Sequence, residues 1–294
     1  ESWGYKMLPE LLAEIEKGGT LNPAVLAAHL QTSPELVAMM LEDLERRGHP
    51  VLLFATSWSP DGTLLASSSR DRTTRIWDRD GRCLRVLEGH GLSVWDARFS
   101  LDGKRIASCS FDTTIRVYDV LGGELLGSLL GHTRQISSID WAPDGRLFSG
   151  SRDGTCRIWD VDRARADARG FARDRPPGEF MSESLRASES DAHIAPISCT
   201  TASRDARFIA SGSYDATIRI WDAKTGRVAR RIAATSLVNG IDFSPDGRSI
   251  ASGECDHAAY VREVETGRTL RGLRGHTDDV NCVAFSPDGR RLAT

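Results

Sequence analysis

Lysine is almost missing from this 294-residue chain: it has 4, against 34 arginines, within a formal net charge of −3. An arginine excess invites a nucleic-acid reading, but these arginines stand singly and form no basic block. Cys-x-x-Cys pairs are missing too. The six cysteines (Cys83, Cys109, Cys156, Cys199, Cys255, Cys282) fall mostly within strand-like patterns. They read as reduced core thiols of a cytosolic protein, with no metal site. No apolar run approaches the ~18 residues that a spanning helix needs, and no signal-peptide pattern follows Glu1. The chain also lacks Gly-x-x-x-x-Gly-Lys, Gly-x-Ser-x-Gly and metal-ligand spacing. Those are common marks of phosphate binding, acyl transfer and zinc hydrolysis. No cofactor and no catalysis are expected.

What is present is one phrase written five times and begun a sixth. Its fullest copy runs Gly89-His90, Phe99-Ser100-Leu101-Asp102-Gly103, Ile106-Ala107-Ser108 and Phe111-Asp112-Thr113-Thr114-Ile115-Arg116-Val117-Tyr118-Asp119. Turn glycines stand at 62, 103, 145, 247 and 289, and Ala206 takes the slot between 145 and 247. Steps are 41 or 42 residues, with a single step of 61. Each copy alternates through a strand a, such as Val280-Asn281-Cys282-Val283-Ala284-Phe285. It then turns, typically at Ser-Pro-Asp-Gly, where proline presets φ and glycine accepts a positive value. A strand b follows, and Asp71, Asp112, Asp153, Asp215 or Asp256 closes the next turn. Strand c ends on Trp77-Asp78, Tyr118-Asp119, Trp159-Asp160 or Trp221-Asp222. A period near 40 with Gly-His and Trp-Asp marks predicts a mainly β chain of four-stranded propeller blades.

Over residues 48–294 these marks resemble the WD-repeat family. The resemblance implies a β-propeller with complete blades at about 48–88, 89–130, 131–191, 192–232 and 233–274, and strands a and b of a sixth at 275–294. It also implies a buried hydrogen-bonded group in each blade, joining the loop histidine, the turn aspartate, a strand b serine and the strand c aromatic. Those sets are His49, Ser67, Asp71 and Trp77; His90, Ser108, Asp112 and Tyr118; His132, Ser149, Asp153 and Trp159; and His193, Ser211, Asp215 and Trp221. Ser69, Ser110, Ser151 and Ser213 are the alternative serines, two residues on and on the same strand face. A His–Asp–Ser trio also fits a hydrolase, but its return in every intact blade favours a structural role.

Three places depart from the pattern. In the fifth repeat Ala233-Ala234 replaces Gly-His and Arg262-Glu263 replaces Trp-Asp. Only Asp256 and Ser252 then remain of the group, and this blade is expected to be the softest. Asp160 to Ala192 spans 32 residues where other blades need 11 or 12. Within it, 163–178 lacks apolar periodicity and is expected to be a mobile inserted loop. The sixth repeat stops inside strand b, so the chain is expected to be a fragment of a six- or seven-bladed ring.

Residues 1–47 follow another grammar. Leu8, Leu11, Leu12 and Ile15 have helical spacing, Asn22-Pro23 and Ser33-Pro34 read as helix starts, and Val37, Met40, Leu41 and Leu44 give a third apolar face. This three-helix segment resembles a winged helix-turn-helix. Nucleic-acid binding is not expected, because the third helix (34–47) carries Glu35, Glu42, Asp43 and Glu45 against Arg46 and Arg47, and no wing follows.

In the resembled family, the residue before each turn aspartate projects onto the broad face around the channel. Here that places Arg70, Phe111, Arg152, Tyr214 and Cys255 on the face. Phe54, Trp95, Arg134 and Asp278-Asp279, just past the Gly-His loops, join them. Aromatic and arginine side chains anchor interfaces, so Arg70, Trp95, Phe111, Arg152 and Tyr214 are expected to bind a protein or peptide. The chain then reads as a noncatalytic interaction scaffold without membrane attachment. The alternatives are a transcriptional or nucleic-acid-associated regulator acting through the N-terminal helices, and the regulatory propeller of a larger enzyme.

Overall fold

The computed structural model describes residues 53–161, 179–180, 185–186 and 192–294. The expected helical segment 1–47, His49 and the expected inserted loop 163–178 lie outside the described residues.

β1 (Leu53–Trp58), β2 (Leu64–Ser69), β3 (Thr74–Asp78) and β4 (Cys83–Leu87) make the first antiparallel blade in chain order. β5 (Val94–Phe99), β6 (Arg105–Ser110), β7 (Ile115–Asp119) and β8 (Leu125–Leu129) make the second. The third holds β9 (Ile136–Trp141), β10 (Leu147–Ser151) and β11 (Cys156–Trp159). Two short strands follow. β12 (Glu179–Phe180) joins β8 in parallel at the outer edge of blade two, and β13 (Leu185–Arg186) completes blade three against β11. The chain segment after β11 thus touches two blades before it enters the fourth.

Blade four is β14 (Ile197–Ala202), β15 (Phe208–Ser213), β16 (Thr217–Asp222) and β17 (Val228–Ala233). Blade five is β18 (Val238–Phe243), β19 (Ser249–Glu254), β20 (Ala258–Glu263) and β21 (Thr269–Arg274). β22 (Ala284–Phe285) and β23 (Leu292–Ala293) form a two-stranded sixth sheet. Strand alternation decides what fills the space between blades. Ile115, Val117 and Leu129 of blade two meet Ile136, Ile139 and Trp141 of blade three in one buried cluster, and Ala66, Ile76 and Leu87 meet Ala97, Phe99 and Ile106 in another. Burying such faces on both sides is what a lone four-stranded sheet cannot do.

The first strands pack in succession, β1 on β5, β5 on β9, β9 on β14, β14 on β18 and β18 on β22. They therefore bound the channel, while the b–c turns and Gly-His loops gather at one of its ends. At the opposite end the a–b turns need a left-handed residue: Gly103 has φ 67° and Gly145 has φ 84°. Ala206 adopts φ 58° in the same slot, a strained choice for a residue with a Cβ.

Candidate functional site

Blades three and four carry the same polar chain. Trp159 Nε1 donates to Ser149 Oγ at 2.8 Å, Ser149 Oγ meets His132 Nε2 at 2.7 Å, and His132 Nδ1 meets Asp153 Oδ2 at 2.8 Å. Trp221, Ser211, His193 and Asp215 repeat it at 2.8 Å throughout. An indole can only donate, so the serine hydroxyl can pass its own hydrogen to a neutral Nε2, and Nδ1–H donates to the carboxylate. Burial favours that neutral form. It lowers His132 from the ordinary imidazole value and takes His193 down to about 4. Burial works against the Asp153 carboxylate, but hydrogen bonds from His132 and Thr155 outweigh it and hold the acid well below its usual range. The same carboxylate accepts from Thr133 N at 3.0 Å, so it ties the Gly-His loop to the b–c turn.

Blade two keeps His90 at 2.9 Å from both Ser108 and Asp112, while Tyr118 sends its hydroxyl to the Glu88 carbonyl. In blade one Trp77 Nε1 donates to Ser67 at 2.9 Å, and Asp71 holds Thr73 and Arg75. The two candidate serine sets thus have different duties. Ser67, Ser108, Ser149 and Ser211 belong to the polar chains. Ser110, Ser151 and Ser213 instead accept from the turn aspartate N–H and donate to Gly-His loop carbonyls. The histidine-linked serines are at most 1% exposed, so their hydroxyls are sealed within the blades.

In blade five, where only Asp256 and Ser252 remain of the repeated group, Arg262 and Glu254 supply other partners. Arg262 faces Ile250 across the b–c pair, the register in which Trp221 faces Ile209, so its guanidinium occupies the tryptophan slot. Its Nη1 donates to Ser252 Oγ at 2.6 Å and to Glu254 Oε1 at 2.7 Å. Glu254 Oε2 accepts from Thr235 N at 2.7 Å and Ser236 N at 3.0 Å, the loop-holding duty that aspartate has elsewhere. Arg262 is 2% exposed and Glu254 is 0% exposed. Asp256 is diverted to the Tyr260 hydroxyl. A buried ion pair stands here in place of the neutral chain.

The channel encloses a cavity of about 710 Å³. Carboxylates on first strands stitch one blade to the next: Asp96 accepts from Ile139 N at 3.3 Å, Asp140 from Ala202 N at 2.9 Å and Asp242 from Phe285 N at 2.7 Å. Burial raises Asp140 and pushes Asp242 up to about 6.

At the mouth, Trp95 stacks on Phe54 at 4.4 Å and on Phe111 at 5.1 Å, and the Arg152 guanidinium lies 5.8 Å from the Phe111 ring centre. Phe54, Trp95, Arg152 and Tyr214 line the cavity together. Arg70 is exposed beside this group; its carbonyl takes the Ser93 hydroxyl, and the Ser93 carbonyl takes Phe111 N. Of the five expected partner residues, Trp95, Phe111 and Arg152 form one contiguous group, Tyr214 adjoins it, and Arg70 stands at its edge.

Sequence reasoning missed Leu92, Ile194 and Leu237, exposed by 52%, 93% and 41% on the loops of the same face. Their signal was a bulky aliphatic residue within a short loop between two strands. It also missed that His257, Asp278 and Asp279 converge between blades five and six, with side-chain N and O atoms within 4.8 Å of one another. No linear spacing announces a group assembled from two repeats.

Polar chains sealed in successive sheets around an open channel define a propeller of Trp-Asp repeats. The family model WD40, described as WD domain, G-beta repeat, matches at residues 43–78, 81–119, 123–160, 186–222, 228–261 and 267–294, and the chain belongs to this family. Nuclear distribution protein PAC1 of Arthroderma otae is 28% identical over 203 residues, 63% of this chain and 43% of that protein. COMPASS component SWD3 of Saccharomyces cerevisiae is 28% identical over 186 residues, 63% of this chain and 55% of that protein. F-box-like/WD repeat-containing protein TBL1X of Homo sapiens is 26% identical over 190 residues, 63% of this chain and 24% of that protein. The chain spans about half or less of the length of these relatives.

Proposed function

We propose that this chain is a noncatalytic scaffold that holds a protein or peptide across the mouth of its channel. The observation that carries this reading is the Phe54–Trp95–Phe111 stack with Arg152 laid against it. A rigid aromatic surface at the rim of a cavity supplies contact area at little entropic cost, and Trp, Tyr and Arg dominate interface energetics. Tyr214, Ile194, Leu92 and Leu237 widen the apolar surface on the same face. The yeast relative is named as a component of COMPASS, and membership of an assembly is the role proposed here. Six cysteines without a disulfide suit a reducing, cytoplasmic setting. Among the described residues no helix is long and apolar enough to cross a membrane.

Affinity capture with the tagged chain tests the reading. Trp95→Ala and Arg152→Ala are each expected to weaken the captured partner by about 30-fold, the effect of an interface anchor worth about 2 kcal/mol. Thermal melting in parallel verifies that both variants are folded. Folded variants that retain every partner refute the proposal.

A further inference from the structure

We infer that the segment bound at this mouth is an acidic peptide with an apolar anchor; the inference rests on the scaffold reading above and specifies the partner's chemistry. Charge on the face is divided unevenly. Over blades one to three, the exposed charged side chains among the described residues of the b–c turns and Gly-His loops are Arg70, Arg72, Arg134 and Arg152, against Glu88. Asp71, Asp112 and Asp153 on the same turns are half-buried and spent on threonines, histidines and loop N–H groups. Among the described residues of its loops, blade four contributes Ile194 and Tyr214 and no exposed charge. The exposed aspartates of this face, Asp278 and Asp279, stand on the far side beside His257.

The basic residues and the aromatic stack are one surface. Ser93 binds both Arg70 and Phe111 through its hydroxyl and carbonyl. Arg152 N donates to the Gln135 carbonyl next to Arg134, and the Ser151 hydroxyl donates to the Arg134 carbonyl, so these two arginines share one rim. Among the described residues Arg70, Arg134 and Arg152 form no ion pair. The Arg152 guanidinium lies 5.8 Å from the Phe111 ring centre, and a guanidinium can donate two parallel hydrogen bonds to a carboxylate. Trp95 and Phe54, beside it, offer an apolar seat. A basic peptide meets like charge at this rim. A neutral apolar peptide leaves the guanidinium groups without an anionic partner. An Asp or Glu within a few residues of an aromatic or leucine satisfies both halves of the patch.

Panning a displayed library of random decapeptides on the full chain tests this. The expected result is enrichment of Asp or Glu within three positions of Trp, Phe, Tyr or Leu. The selected peptides should lose about 10-fold in affinity on Arg152→Gln or Arg134→Gln, and binding should weaken with salt. Arg248→Gln, in an a–b turn at the opposite end, should leave binding unchanged. Enrichment of basic or uncharged peptides that still require Trp95 overturns the acidic assignment and leaves the scaffold reading standing. No enrichment over the unselected pool overturns both. Acidic peptides whose binding is indifferent to Arg152 and Arg134 overturn the assignment to this rim.

Discussion

Arg262→Ala is expected to lower the stability of the protein by about 3–5 kcal/mol, far more than the loss of a surface arginine. The reason is what stays behind. Glu254 is fully buried and its carboxylate is held by Arg262, the Ser252 hydroxyl and two loop N–H groups. Deleting the guanidinium leaves a charge in the interior with no countercharge, and also empties the slot that tryptophan fills in neighbouring blades. Arg262→Met combined with Glu254→Gln removes both charges while keeping an acceptor for Thr235 N and Ser236 N. That double variant is expected to recover more than half of the loss, because buried pairs exchanged for uncharged groups of similar shape are often neutral. Urea unfolding measures both. A single-variant loss below about 1 kcal/mol would show that the pair does not hold blade five.

Acid should unfold the protein earlier than its carboxylates alone require. The buried His193 imidazole falls to about 4 from an unfolded value of 6.5. Between these values the unfolded chain takes up a proton that the folded chain refuses. Its contribution is therefore full above pH 6.5 and drains as pH falls towards 4, by about 3 kcal/mol in all. His132 adds in the same direction. Asp112 and Asp153, held well below the usual range, continue the loss at lower pH. Asp242 has the opposite sign: raised to about 6, it contributes fully below 3.8 and loses that contribution as pH rises through 6. Stability measured in urea between pH 4.5 and 6 should have a shallower slope in His193→Gln, by about 1.4 kcal/mol per pH unit, and a steeper one in Asp242→Asn. An unchanged slope in His193→Gln would show that this imidazole is not a neutral buried link.

Much of the fold was legible because the repeat fixes it locally. The Asp-Gly turns, the alternating strands and the Trp-Asp strand ends each follow from short-range rules, and a period near 40 multiplies the signal. The polar chains of blades three and four were legible for the same reason, down to His132, Ser149, Asp153 and Trp159; in blade two the expectation holds for His90, Ser108 and Asp112, while Tyr118 departs from it to the Glu88 carbonyl. The serine ambiguity was not, because residues two apart share a strand face and only the approach of histidine and indole separates them. The Arg262–Glu254 pair of blade five was not legible because both residues replace types from which they differ in charge and size. Their fitness for each other exists only in space. Asp96, Asp140 and Asp242 escaped notice because each reaches a backbone N–H some 40 to 60 residues onward, in the next blade. For the mouth, sequence placed Trp95, Phe111, Arg152 and Tyr214 on one face, but their stacking and the exposed Leu92, Ile194 and Leu237 needed the loops in three dimensions.

Amide hydrogen exchange of the chain with and without its bound partner is the most direct measurement of where the molecule works. New protection should appear at 92–95, 111–113, 134–135, 152–154 and 214, around the aromatic and arginine rim. Protection confined to the opposite turns, where Leu101 and Leu121 are 55% and 81% exposed, with the rim unchanged, would contradict the proposed mouth.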